Sequence, residues 1–268
     1  MPYAAVNDIQ MYYEEAGRGS PLVLLHGATG AIDFHVTGWG GLMPSFAARY
    51  RAIHLEHRGH GRTGNPAGRL SYGQIADDVC AFIDQLGLAP AHVAGVSDGG
   101  IIALTIGMTR PEAARTLVCV GANYRNDEHT RAANAGMDAE ALERDHPDFV
   151  QMLVRFHDAH QGSGYWRTLV GQVRTMLDAE PNYTEADLRR IPTPTLLIAG
   201  ETDLWGNLDQ MLAMRRSIPD SEMLILNHAG MDALDNHVVQ YSRADVVSAV
   251  VLDFLARHEG AASGHIHR

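Results

Sequence analysis

The 268-residue sequence contains no lysine; its 21 basic residues are all arginine. That absence excludes the Schiff-base chemistry of pyridoxal phosphate enzymes and aldolases, the P-loop lysine and the kinase lysine, since each mechanism needs that amine. A formal charge of −11 and a pI near 5.7 argue against a nucleic-acid backbone or an anionic membrane as partner, because both call for a basic face. Only two cysteines occur, Cys80 and Cys119, both inside apolar segments, and they read as small buried hydrophobes of a reducing compartment rather than a disulfide framework. No apolar run approaches the ~20 residues that span a bilayer. Mean hydropathy is −0.15, and the start, MPYAAVNDIQMYYEEAG, lacks the basic-then-apolar pattern of a secretory signal. The expectation is a soluble, cytoplasmic protein whose partner is a neutral or apolar small molecule, with its oligomeric state left open.

Histidine is abundant, with fifteen in the chain, and is the residue type best suited to move protons near neutral pH. The length allows one large domain or a domain with an insertion. Short apolar runs recur at Leu22 to Leu25, Ala52 to Leu55, Val93 to Val96, Thr116 to Val120, Thr195 to Ile198 and Met223 to Leu226. Between them lie helical stripes. Ile75, Val79, Phe82, Ile83 and Leu86 form one, and Val246, Val247, Val250, Val251, Phe254 and Leu255 another. Strands alternating with helices pair in parallel, which predicts an α/β fold with an open, mostly parallel sheet and helices on both faces. The stretch from Asn123 to Pro192 breaks the alternation with amphipathic runs such as Trp166, Leu169, Val170, Val173, Met176 and Leu177. It is expected to be a helical cap (123–192) inserted into a core of 1–122 and 193–259, with 260–268 as a frayed tail.

The strongest local signal is Gly95-Val96-Ser97-Asp98-Gly99-Gly100, after a strand and before the apolar run Ile101-Ile102-Ala103-Leu104. This is G-x-S-x-G in its strand-turn-helix context, in which the glycines permit a sharp turn and the serine oxygen stands at its tip, at the amino end of a helix. His26-Gly27 follows the first apolar run, and Arg58-Gly59-His60-Gly61-Arg62-Thr63 follows the second, with Glu56 just before it.

On these motifs the chain resembles the α/β-hydrolase superfamily from about Val6 to Leu255, the insertion excepted. The resemblance implies an oxyanion hole from the backbone N–H groups of Ala28 and Asp98 and a triad in the order Ser, acid, His. Gly200-Glu201-Thr202-Asp203 is similar to the family's G-x-x-D, which implies Asp203 as the acid, with Glu201 its competitor. The family's other acid position offers only Gly121, Ala122 and Asn123. Where relatives read Gly-His, this chain reads Ala229-Gly230-Met231, and methionine is no base. Measured back from the last helix, His237 lies 17 residues before Phe254, the span of a short loop and a helix of three to four turns. His237 is therefore the expected base, Met231 to Asn236 the extended loop, and His228 the runner-up.

Other constellations carry less. His54, His57 and His60 lack the spacing of a metal site and read as loop architecture, and His157 and His160 read as cap-surface or pocket-lining residues. No G-x-G-x-x-G follows the first strand, so neither a nucleotide cofactor nor a metal is expected. Trp39, Trp166, Trp205 and the methionines Met152, Met176, Met211 and Met214 read as packing, with a share in an apolar substrate pocket as the alternative. The resemblance implies a cofactor-independent serine hydrolase, carboxylesterase- or lactonase-like, cleaving an acyl bond of a small molecule. Carbon–carbon hydrolysis, acyl transfer and perhydrolysis stay open, as does a non-hydrolytic receptor or pseudoenzyme, the reading that Met231 motivates.

Overall fold

The computed structural model describes residues 2–227, 229 and 233–260. His228, Gly230, Met231 and 261–268 of the expected tail lie outside the described residues.

Eight strands form one sheet in the order β1-β2-β4-β3-β5-β6-β7-β8. They are β1 (Tyr3–Val6), β2 (Ile9–Ala16), β3 (Pro21–Leu25), β4 (Arg51–Leu55), β5 (Ala91–Val96), β6 (Ala114–Val120), β7 (Thr195–Gly200) and β8 (Ser221–Leu226). From β4 to β8 every neighbouring pair is parallel. The six apolar runs of the sequence are the six strands β3 to β8. The antiparallel hairpin β1–β2 at the edge is an addition that the sequence reading did not resolve, with β2 also antiparallel to β4. Its strands alternate in burial, and the chain reverses between them at Asn7, at φ 47°. Asparagine is one of the few non-glycine residues that adopts this conformation readily.

The two-residue period of a strand sends alternate side chains to opposite faces, and the sheet is covered on both. Val23, Leu25, Val93, Leu117, Cys119 and Leu197 face α2 (Tyr72–Gln85), α3 (Asp98–Thr109) and α10 (Leu208–Ser217). Leu22, Leu24, Ala94, Val96, Val118 and Val120 face α1 (Met43–Ala47) and α13 (Ala244–Arg257), through Phe46, Val247, Val251 and Phe254. Full burial of one such side chain is worth about 1.5–3 kcal/mol. The helix that carries the stripe from Ile75 begins at Tyr72, because Ser71 is its cap and its Oγ accepts the Gln74 N–H at 3.2 Å. The two cysteines are free and buried.

Between β6 and β7 the chain forms α4 (Glu128–Asn134), α5 (Ala139–Asp145), α6 (Pro147–Leu153), a π turn (Val154–Asp158), α7 (Ala159–Gln161), α8 (Tyr165–Ala179) and α9 (Glu185–Leu188). Leu142, Leu153, Trp166 and Val170 make a small apolar cluster of their own here. After β8 come two short helices, α11 (Ala233–His237) and α12 (Val239–Ser242). The stretch expected as plain loop before His237 is thus helical from Ala233.

Candidate active site

Ser97 sits between β5 and α3 at φ 54° and ψ −120°. An L-residue rarely adopts this conformation, and the surroundings must hold it there. Its N–H donates to Val120 O at 2.7 Å, which ties the turn to the adjacent strand. A Cβ on Gly95 would overlap the Gly99 peptide, so the close pass of the turn over itself requires that glycine.

The His237 Nε2 lies 2.9 Å from Ser97 Oγ, and its Nδ1 lies 2.9 and 3.1 Å from the two Asp203 oxygens. A carboxylate only accepts, so Nδ1 carries the proton and Nε2 is free to accept the serine hydroxyl. Asp203 is itself held by the Trp205 and Gly206 N–H groups, at 2.8 and 3.1 Å from Oδ1. Asp203 and His237 are both buried, and the Trp205 ring packs 4.5 Å from the imidazole. The competitor Glu201 is exposed on the loop.

The alternative acid position is closed by geometry. Gly121 has φ +59°, and a Cβ there would come within 2.6 Å of His237 O and 2.9 Å of its Nδ1. No side chain at position 121 fits between β6 and the imidazole, and the carboxylate that meets Nδ1 comes from beyond the end of β7.

Ala28 and Asp98 both line the cavity that holds Ser97 and His237, beyond the carboxyl ends of β3 and β5. The Asp98 carboxyl is buried and accepts the Tyr72 hydroxyl at 2.9 Å. Burial raises its pKa to about 6, against the opposing pull of the Tyr72 hydrogen bond and of His237. The cavity has a volume of about 390 Å³. Its far wall comes from the helices between β6 and β7, through Met137, Leu142, Phe149 and Leu177. Trp205 also lines it, and its Nε1 donates to Asn134 Oδ1 at 3.0 Å. For Trp205 the alternative of a share in the pocket holds rather than packing alone, in keeping with its place two residues after Asp203. No arginine is among the described residues that line the cavity.

Four histidines of the core are structural in placement. His26, His54, His57 and His60 are buried, and burial lowers the pKa of each. The His26 and His57 rings stack at 3.8 Å. No cluster among the described residues has the make-up of a metal site. His160 is exposed, but the expectation for His157 needs correcting: it is completely buried, between two loops of the core. Among the described residues no helix is long and apolar enough to cross a membrane.

Residues 22–250 match the model of the alpha/beta hydrolase family. A protein of Azorhizobium caulinodans named "Putative carbamate hydrolase RutD" is 29% identical over 241 residues, which cover 83% of this chain and 88% of that one. Among solved structures, the enol-lactonase of Burkholderia xenovorans superposes with a TM-score of 0.72 at 21% identity, covering 95% of this chain and all of that one. The meta-cleavage product hydrolase of Pseudomonas fluorescens gives 0.76 at 21% identity, covering 95% and 97%. At such identities the two structures speak for the fold, and the family match over most of the sequence identifies the chain: it belongs to the alpha/beta hydrolase family.

Proposed function

We propose that the protein is a cofactor-independent serine hydrolase that cleaves an ester, lactone or related acyl bond of a small, uncharged, mainly apolar molecule. The observation that carries this reading is the unbroken hydrogen-bonded line Asp203–His237–Ser97, with Ser97 in a strained turn facing a largely apolar cavity. In this mechanism Ser97 Oγ attacks the carbonyl carbon while its proton passes to His237 Nε2. Asp203 holds the ring in the correct tautomer and stabilises the imidazolium. The backbone N–H groups of Ala28 and Asp98 take the charge that develops on the carbonyl oxygen. The proton on Nε2 then goes to the leaving oxygen. A water attacks the acyl-enzyme, gives its proton to His237, and the serine recovers it as the acid departs.

Residues 123–192 act as the cap over this site and set the substrate. With no arginine lining the described cavity, and Asp98 rather than a permanent cation beside Ser97, a substrate carboxylate would shed its water shell with no guanidinium to meet it, which is unfavourable. That favours uncharged esters, lactones and carbamates. The test is reaction with a fluorophosphonate and turnover of p-nitrophenyl acetate by the purified protein, beside Ser97→Ala and His237→Ala. Labelling and turnover lost in both variants are the expected outcome; full activity of Ser97→Ala would end the proposal, and neither labelling nor turnover in the unaltered protein would favour a ligand receptor on the same fold.

A further inference from the structure

His157 belongs to the helices between β6 and β7, yet both of its ring nitrogens bond to the core. Its Nδ1 accepts the Gly61 N–H at 2.9 Å, and its Nε2 lies 2.9 Å from Thr29 O. An imidazole that accepts at one nitrogen has to carry its proton on the other, so Nε2–H donates to the carbonyl. The ring is neutral, held in one tautomer, and completely buried. It joins two loops that are otherwise far apart in sequence, 57–63 and 26–30.

Thr29 directly follows Ala28, which is placed above as an oxyanion donor, and Thr29 has φ +51°. This is the left-handed region, unfavourable for a β-branched residue, so its conformation has to be imposed by partners. The His157 ring supplies one partner at the Thr29 carbonyl. The neighbouring contacts from the same helices brace the 57–63 loop rather than the oxyanion loop. Gln161 Nε2 donates to Gly61 O at 3.0 Å and to Thr63 O at 2.9 Å, and the Tyr165 hydroxyl donates to Gly59 O at 3.0 Å. His157 itself lies in the π turn Val154–Asp158, a winding rare in proteins and concentrated at functional sites. On the outer side, Phe34 packs between Phe149 and Phe156 of the same helices, with ring centroids 5.8 and 5.6 Å away.

We infer that His157 is a positioning residue for the reaction: from the inserted helices it fixes the Thr29 carbonyl and thereby the aim of the Ala28 N–H at the developing oxyanion. The inference rests on the proposed function. It makes the insertion more than a lid over the cavity, since the helices that shape the substrate wall also hold one half of the oxyanion hole in place. A group that aims an oxyanion donor acts in the transition state more than in the ground state, so its loss lowers kcat and leaves KM nearly unchanged.

The test compares His157→Leu, His157→Gln and Gln161→Leu in the full chain, with p-nitrophenyl acetate as substrate and amide hydrogen exchange over 26–30 and 57–63 as a second reading. His157→Leu removes both bonds and is expected to lower kcat by about 10- to 100-fold, with KM little changed and exchange faster in both loops. In His157→Gln the amide oxygen accepts from Gly61 and the amide nitrogen donates to Thr29, so most of kcat returns. Gln161→Leu releases the 57–63 loop without touching Thr29 and keeps kcat. Should His157→Leu fail to fold, His157→Met, which likewise offers neither bond, takes its place and is read in the same way. Three results would overturn the inference: unchanged kcat in His157→Leu, no faster exchange at 26–30 in that variant, or an equal loss of kcat in Gln161→Leu. If turnover in the unaltered protein does not depend on Ser97, the proposed function falls and takes the catalytic role of His157 with it; the other failures leave that function standing.

Discussion

Asp98 offers the sharpest test of the electrostatics at the serine turn. Its carboxyl is buried, and burial outweighs the Tyr72 hydrogen bond and the proximity of His237, so its pKa stands at about 6 instead of 3.8. The native state therefore binds a proton that the unfolded chain has already released, and between these two values stability falls as pH rises. Above pH 6 the native protein carries the full cost of a buried carboxylate. At 1.36 kcal/mol per pH unit, the shift amounts to about 3 kcal/mol. Asp98→Asn keeps the oxygen that accepts from Tyr72 and removes the ionisation. It should be more stable than the parent by up to about 3 kcal/mol at pH 8, roughly 5–10 °C in Tm for a chain of this size, with the gap closing as pH falls through 6 towards 4. Thermal unfolding of both proteins in a series of buffers from pH 4 to 8 reads this directly. A stability difference that stays flat across that range, or a variant less stable than the parent at pH 8, would refute the reasoning.

Gly121→Ala places a methyl group against the His237 imidazole and its carbonyl, and should lower kcat by 10²-fold or more, of the order expected for a 1 Å displacement, in steady-state kinetics on an aryl ester. Asp203→Asn leaves one oxygen, which the Trp205 and Gly206 N–H groups hold, and turns an amide N–H towards His237 Nδ1, which favours the wrong tautomer; kcat should fall by about 10⁴-fold, with fluorophosphonate labelling of Ser97 slowed in parallel. Asp78→Ala leaves the buried Arg58 guanidinium, which bonds Asp78 at 2.6 and 2.9 Å, with only its 2.7 Å bond to the half-exposed Asp8 carboxylate, and urea unfolding should show a loss of up to about 3 kcal/mol. Adding a carboxylate to the acyl chain of a good ester substrate should reduce kcat/KM at least tenfold, because the described lining offers no arginine to meet it.

The strands β3 to β8 were legible because a parallel strand covered on both faces is apolar at every position, which makes a dense run that few other elements produce. The β1–β2 hairpin was not, since its outward positions carry residues such as Gln10, Glu14 and Glu15, and an edge strand that is half polar gives a weak signal. Ser97 was readable because its chemistry lies within six consecutive residues. His237 was readable only by measuring from the last helix, since nothing around it in the chain marks it as a base. His157 escaped because what defines it is not a neighbouring residue type. Its partners are backbone atoms 96 and 128 positions away, and no local pattern encodes a hydrogen bond to a distant main chain.

Ser97, Asp203 and His237 arrive from the ends of β5 and β7 and from the short helix after β8. In the chain His237 follows every strand of the sheet, and it meets Ser97 only where the ends of β5 and β7 and the segment after β8 lie side by side. On the proposed function, a chain in which that far edge has not docked holds a serine without its base, so turnover would report on complete assembly rather than on compactness alone.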